Sequence, residues 1–255
     1  AAVLYGKGVK VVDLSADYTI SDPRVYEQAY RVAHTHKENL DEAVYGVPEL
    51  YRSEIKKAGL VANPGCYATA AILACTPFMD SEGVEASRII VDGKSGTSGG
   101  GVKHSNFLHG PSVSGNLKPY KVVDHRHQPE IDHILSRFNP DASVCFTPTL
   151  APFARGIQET IHFYGSLDAH PNEVMKSYYD GERFIRVVED PQVKNVVYSN
   201  YCDLTGYADA GKERIVVVAN IDNLIKGASG QAVQNMNLMM GLREDAGLES
   251  PPYYP

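Results

Sequence analysis

An α/β layer followed by an α+β, mostly antiparallel domain is the fold class that this sequence predicts. Three observations carry it. Up to Cys75, short apolar strands alternate with capped helices. From about residue 88 to 221 the strands lengthen and take on period-two patterning. A helix rich in Ala and Met, Gly227–Leu242, then closes the chain.

Each element has its own local reason. Ala-Ala-Val-Leu-Tyr-Gly-Lys-Gly reads as a helix end with Gly6 or Gly8 as the stop. An opening in mid-helix is expected of a trimmed chain. Val9–Leu14 is a short buried strand. Ser21-Asp22-Pro23 supplies a cap and a first-turn proline, and the helix after it is expected to reach about Ala33. Pro48–Ala58 is a helix stopped by Gly59, and Leu60–Ala62 is a strand. Asn63-Pro64-Gly65 is a sharp turn into an apolar helix, Cys66–Cys75. Arg88–Asp92 is a strand that feeds the glycine-rich loop Gly93–Gly101, and Pro129–Phe138 is a helix. Gly156–Tyr164 alternates, with Ile157, Ile161 and Phe163 on one face. Tyr207–Ala219 forms a hairpin around Ala210-Gly211-Lys212-Glu213.

Composition narrows the function classes. The 255 residues are 43% apolar and 22% charged, which describes an ordinary globular protein. No apolar run approaches the ~18 residues of a membrane helix, and no secretory signal opens the chain, so a cytoplasmic protein without a membrane partner is expected. A net charge of −7 disfavours a nucleic-acid partner. The four cysteines, Cys66, Cys75, Cys145 and Cys202, make no zinc-like spacing and read as reduced thiols, with no metal.

Four segments carry chemistry. In Asn63-Pro64-Gly65-Cys66-Tyr67-Ala68-Thr69 a cysteine occupies the first turn of a helix. Free N–H groups and the helix dipole there lower a thiol pKa, and the same N–H groups suit an oxyanion. A buried apolar cysteine is the alternative, and it is the reading for Cys75. In His125-Arg126-His127-Gln128-Pro129-Glu130-Ile131, two histidines at i, i+2 share a side if the stretch is extended. One could shuttle protons, with Glu130 orienting its ring; a metal pair or a polar loop are the alternatives. His34-Thr35-His36 has the same spacing and reads as solvated surface. The stretch Asp92–Lys103 offers free N–H groups, hydroxyls, Lys94 and Lys103, which suits an anion, although it is neither a P-loop nor a Gly-x-Gly-x-x-Gly turn. Arg155 follows a double-proline loop and could clamp a carboxylate or phosphate.

Taken in order, these segments resemble the N-acetyl-γ-glutamyl-phosphate reductases of arginine biosynthesis. The likeness runs through Val12-Asp13-Leu14-Ser15-Ala16-Asp17, Tyr45-Gly46-Val47-Pro48-Glu49-Leu50 and the Cys66 motif. It continues through Ser95-Gly96-Thr97-Ser98-Gly99, the His127 motif, Arg155-Gly156 and Asn223-Leu224-Ile225-Lys226-Gly227-Ala228-Ser229-Gly230-Gln231-Ala232. Thr149 and Thr19 depart from it, standing where histidine and arginine are usual.

The resemblance implies a Rossmann-like NADP-binding domain, of which residues 1–65 and 222–255 are what remains. It also implies a glyceraldehyde-3-phosphate-dehydrogenase-like substrate and dimerisation domain at residues 66–221. It makes Cys66 the nucleophile toward an acyl phosphate and His127 the proton-transfer residue, with His125 and Glu130 in support. Arg155 and Asn63 become substrate contacts, and Ser95, Gly96 and Asn223 contacts of NADPH. A homodimer or homotetramer is expected. The front dinucleotide turn is absent from these residues, so little activity is expected of them alone. Three rivals stay open: an aminoadipyl-phosphate reductase of lysine biosynthesis, a Cys–His hydrolase or acyltransferase, and a folded dimerisation module without activity.

Overall fold

The computed structural model describes residues 1–101 and 105–253, apart from the side chain of Ala210. Lys103 lies outside the described residues. In chain order the elements begin α1 (Ala2–Tyr5), β1 (Val11–Asp13), α2 (Pro23–Tyr30), β2 (Val44–Tyr45), α3 (Pro48–Ile55), β3 (Leu60–Ala62) and α4 (Cys66–Cys75). They continue with β4 (Ile89–Ser95), α5 (Gly110–Val113), β5 (Lys118–Pro119), α6 (His127–Leu135), β6 (Val144–Leu150) and β7 (Ile157–Tyr164). The last are α7 (Pro171–Tyr178), β8 (Ile185–Val187), β9 (Cys202–Asp209), β10 (Arg214–Ile221) and α8 (Gly230–Met239), with a π-helical turn at Ile225–Ser229 ahead of α8.

Two sheets organise the chain. A three-stranded parallel sheet has the order β1-β3-β2. The larger sheet has seven strands in the order β5-β6-β4-β7-β10-β9-β8. Its centre is antiparallel, and β4 with β6 and β8 with β9 run parallel. The helix α8 returns to the small sheet, where Leu238 and Met239 pack with Ile55, Ala58 and Val61.

The core is built around α4. Every residue from Tyr67 to Cys75 is buried, because the helix lies between α6 on one side and β7 and β10 on the other. Its sequence is apolar all round, as a helix without a solvent face requires. Burial of Ile72 or Leu73 is worth about 1.5–3 kcal/mol each. The β7 pattern is borne out: Ile157, Ile161 and Phe163 face the core. Glu159 shares that face, fully buried, and neither carboxyl oxygen has a partner.

Several boundaries differ from the sequence expectation. The helix α2 is capped as expected, with Asp22 accepting from the Arg24 N–H at 2.8 Å, but it ends at Tyr30 because Arg31 turns left-handed at φ 57°. The helix α6 starts at His127, two residues before Pro129. Proline is tolerated there because the first-turn N–H groups of a helix have no partner within it. The His125–His127 stretch is therefore not extended. The strand β6 runs through Pro148, which the proline-rich sequence disguised as loop. His34 is not solvated surface. It is 7% exposed, packs against Tyr18 and Tyr26, and donates from Nε2 to the Asp17 carbonyl at 2.8 Å. Its Nδ1 accepts the His36 N–H, so both ring nitrogens are used. Among the described residues no helix is long and apolar enough to cross a membrane, and no three metal-ligating side chains come together.

Candidate active site

The turn Asn63-Pro64-Gly65 delivers Cys66 to the start of α4, and Gly65 is the residue that lets the site close. A Cβ at Gly65 would lie 2.4 Å from His127 Nε2, so the imidazole is pressed against the backbone immediately before the thiol. On another side Cys66 meets the π-helical turn, where a Cβ at Gly227 would lie 2.7 Å from Cys66 Cβ. Two glycines thus admit the base and a supporting turn to the same cysteine.

Glu130 holds this arrangement differently from the sequence expectation. Its Oε1 accepts from the Gly65 N–H at 3.0 Å and from the Tyr45 hydroxyl at 2.9 Å. It does not hold the imidazole: His127 Nδ1 is buried without a partner. Glu130 therefore fixes the turn that presents Cys66. The two histidines still meet, with ring centroids 4.8 Å apart and the His127 N–H donating to His125 Nδ1 at 3.2 Å. Tyr67 packs edge-on against both rings.

The electrostatics correct one expectation outright. The thiol of half-buried Cys66 is not acidified; burial pushes its pKa up to about 12. The Tyr67 N–H acts in the lowering direction, as the helix-start argument required, and is outweighed. Glu159 and Glu130 add to the rise, and Arg126 opposes it. Burial also holds His127 well below its ordinary value and His125 down at about 4, so both imidazoles are neutral near pH 7. Burial raises Glu130 to about 7. Near pH 7 the His127 imidazole is thus neutral and able to accept a proton, while the Cys66 thiol keeps its own.

A cavity of about 440 Å³ opens beside this cluster, lined by Ser95, Gly96, Tyr120, Lys121, His125 and Arg126 among others. Ser95 and Gly96, the cofactor-side candidates, line it. Other candidates are committed elsewhere. Arg155 donates from Nε to Asp222 Oδ2 at 2.8 Å and stacks on Tyr198. Asn223 accepts from the Gly156 N–H at 2.7 Å and donates to Ser98 Oγ, which ties the glycine loop to β7. Asn63 donates to the Ala228 carbonyl and accepts from Asn235, joining the turn to α8. Sequence reasoning gave no role to Tyr45, Gly227, Lys121 or Arg126. Tyr45, Arg126 and Gly227 stood inside segments that carry the resemblance; Lys121 carries no local signal.

The sequence model of the semialdehyde dehydrogenase dimerisation domain matches residues 66–223. N-acetyl-gamma-glutamyl-phosphate reductase of Methanopyrus kandleri is 50% identical over 254 residues, covering 97% of this chain and 73% of that protein. The same-named protein of Pelotomaculum thermopropionicum is 48% identical, covering 98% and 74%.

The chain belongs to the N-acetyl-γ-glutamyl-phosphate reductase family. Among solved structures, aspartate semialdehyde dehydrogenase II of Vibrio cholerae superposes with a TM-score of 0.69 at 18% identity, over 94% of this chain and 74% of that one. That likeness is one of fold, and it agrees with a semialdehyde dehydrogenase dimerisation domain joined to a small Rossmann-like parallel sheet. As a member of this reductase family the chain is assigned to the oxidoreductases, and the Cys66–His127 cluster lies inside the matched domain.

Proposed function

We propose that this protein performs the NADPH-dependent reduction of N-acetyl-L-glutamyl 5-phosphate to N-acetyl-L-glutamate 5-semialdehyde, through a thioester on Cys66, in cytoplasmic arginine biosynthesis. The observation that carries the reading is the contact of His127 Nε2 with the backbone of Gly65, next to Cys66, in a chain 45–50% identical to proteins of that name.

The chemistry follows from the neutral pair. Nε2 of His127 accepts the thiol proton, and the Cys66 sulfur attacks the acyl carbonyl. The carbon–oxygen bond to phosphate breaks and its electron pair leaves with phosphate. When bound, a reduced nicotinamide dinucleotide supplies a hydride to the thioester carbon. The resulting oxyanion collapses, the carbon–sulfur bond breaks, and the sulfur regains a proton from His127. The Tyr67 N–H that points at the sulfur stabilises the thiolate, and burial of the site strengthens that interaction.

The end of β4 fits the nicotinamide. Ser95 offers a hydroxyl, and Gly96, Gly99 and Gly100 leave the cavity wall free of side chains where a flat ring needs room. Ser95 and Gly96 would hold it, with Asn223 fixing their loop. Residues 1–65 and 222–255 are assigned to the cofactor domain and 66–221 to the substrate and dimerisation domain, in a homodimer or homotetramer.

The test is an NADPH-oxidation assay on the protein, with N-acetylglutamyl and N-blocked aminoadipyl phosphates side by side. The expected result is NADPH-dependent formation of semialdehyde with a higher kcat/KM on the glutamyl substrate. Preference for the aminoadipyl compound moves the protein to the lysine pathway. Acyl release at equal rate without NADPH makes it a hydrolase and overturns the reading.

A further inference from the structure

We infer that Lys121 and Arg126 form the anion-holding wall of the cavity beside Cys66, with Arg126 on the phosphate and Lys121 on the carboxylate of the substrate. This rests on the reductase reading for the identity of the two anions, but not for the existence of the wall.

The charge pattern is the first ground. The described residues lining the 440 Å³ cavity include Lys121, Arg126 and His125 and no acid at all, in a chain whose net charge is −7. Among the described residues, no hydrogen bond or ion pair joins the Lys121 or Arg126 side chain to another residue. The acid closest to both in sequence, Asp124, is turned to Arg31 at 3.2 Å. Two cations held at a cavity without a counter-charge are a standing attraction for an anion.

Backbone geometry is the second ground. Lys121 has φ 45°, in the left-handed region that a lysine enters only when its surroundings over-determine it. Two bonds do so: the Tyr120 N–H donates to the Pro148 carbonyl at 3.1 Å, and the Asp124 N–H to the Lys121 carbonyl at 3.1 Å. A glycine would suit the conformation better, so the residue present is explained by its side chain. Strain of this kind concentrates at binding sites.

The division of labour follows from position. Arg126 lies between His125 and His127, and its charge bears on Cys66, His127 and Glu130 alike, so it is the cation at the reacting end. A guanidinium also matches phosphate oxygens in bidentate fashion. Lys121 is the other cation of the lining, and its compact ammonium is left for the substrate carboxylate. Arg155, the sequence candidate for this task, is occupied by Asp222 and Tyr198.

Two variants test it, Arg126→Gln and Lys121→Gly. Orthophosphate is titrated calorimetrically into the 255-residue chain, which needs no reductase activity. Affinity for orthophosphate is expected to fall at least tenfold in Arg126→Gln and less than threefold in Lys121→Gly. In the acyl-phosphate assay, Lys121→Gly is expected to raise KM about tenfold, with a smaller fall in kcat and a melting temperature no lower than that of the parent, because the strain is gone. Unchanged orthophosphate binding in Arg126→Gln, or an unchanged KM in Lys121→Gly, overturns the assignment. If the parent protein reduces no acyl phosphate and orthophosphate binding still depends on Arg126, the wall stands and the reductase reading falls.

Discussion

Cys66 and Cys75 begin and end one ten-residue helix, and burial pushes both thiols upward in pKa. Their tendency to ionise does not separate them; their neighbours do. The Cys66 end meets His127 across Gly65, the Tyr67 N–H and the Gly227 turn. The Cys75 end is fully buried, and Thr76 next to it spends its hydroxyl on the Ile72 carbonyl at 2.6 Å. The difference teaches that what sets the two thiols apart is the company of His127, the Gly227 turn and a half-exposed setting, on which the proposed role of Cys66 rests. An intrinsically acidic thiol is not what α4 provides.

The most severe way to break this comparison is to remove each sulfur in turn. Cys66→Ser is expected to lower kcat by about 10⁴-fold or more, as loss of a nucleophile does. Cys75→Ala should leave kcat within a factor of about 2 and cost roughly 1–2 kcal/mol of stability in urea titrations. Equal damage to kcat from both would dissolve the distinction. Iodoacetamide kinetics sharpen it further. Alkylation of Cys66 should be slow at pH 7 and still climbing at pH 9, given a thiol pushed up to about 12, whereas a plateau near neutrality would restore the acidic thiol that the sequence argument expected.

Next in size is the base. His127→Gln should cost about 10²–10⁴-fold in kcat, the range for a lost proton acceptor, with the fold intact by circular dichroism. His125→Gln should cost less, since that ring packs on His127 and lines the cavity without meeting Gly65. The supporting glycine comes after it. Gly227→Ala puts a methyl 2.7 Å from Cys66 Cβ, and the displaced thiol should lose roughly 10–100-fold in kcat with little change in KM. A wild-type rate in that variant would show that the π-helical turn does not position the sulfur.

Much of this was legible in the chain. The cap at Asp22, the limits of β3 and α4, the β9–β10 hairpin and the segments bearing Cys66, His127 and Ser95 all have local signals, and the structure carries them. What stayed hidden depends on distant partners. The partner of Glu130 is a backbone N–H sixty-five residues away, and no spacing rule points from one to the other. Asn63 and Asn223 look like ligand contacts in a motif and turn out to join segments, because a buried amide takes whatever partners the packing brings. The sign of the Cys66 shift was missed for the same reason: the helix start is a local feature, while the surrounding low dielectric is built by α6, β7 and β10.

An effect on stability and not on rate bears on the carboxyl that anchors the reactive end. Glu130 titrates at about 7 in the fold against 4.5 for an unburied side chain, so between those values the folded chain holds a proton that the unfolded chain has released. Its contribution to stability is therefore complete below pH 4.5 and is lost as pH rises through 7. Compared with Glu130→Gln, the parent protein should lose roughly 2–3 kcal/mol between about pH 5 and pH 8 in urea titrations. Asp132, raised to about 6, and the depressed histidines His125, His127, His133 and His162 are present in both proteins and drop out of the difference. Over the same interval the ionised carboxylate becomes a better acceptor for the Gly65 N–H, so the turn before Cys66 tightens while the whole fold weakens. Parallel stability curves for the two proteins would mean that Glu130 is already ionised at pH 5. The anchor at the reactive end of α4 would then be as insensitive to pH as the sealed end at Cys75.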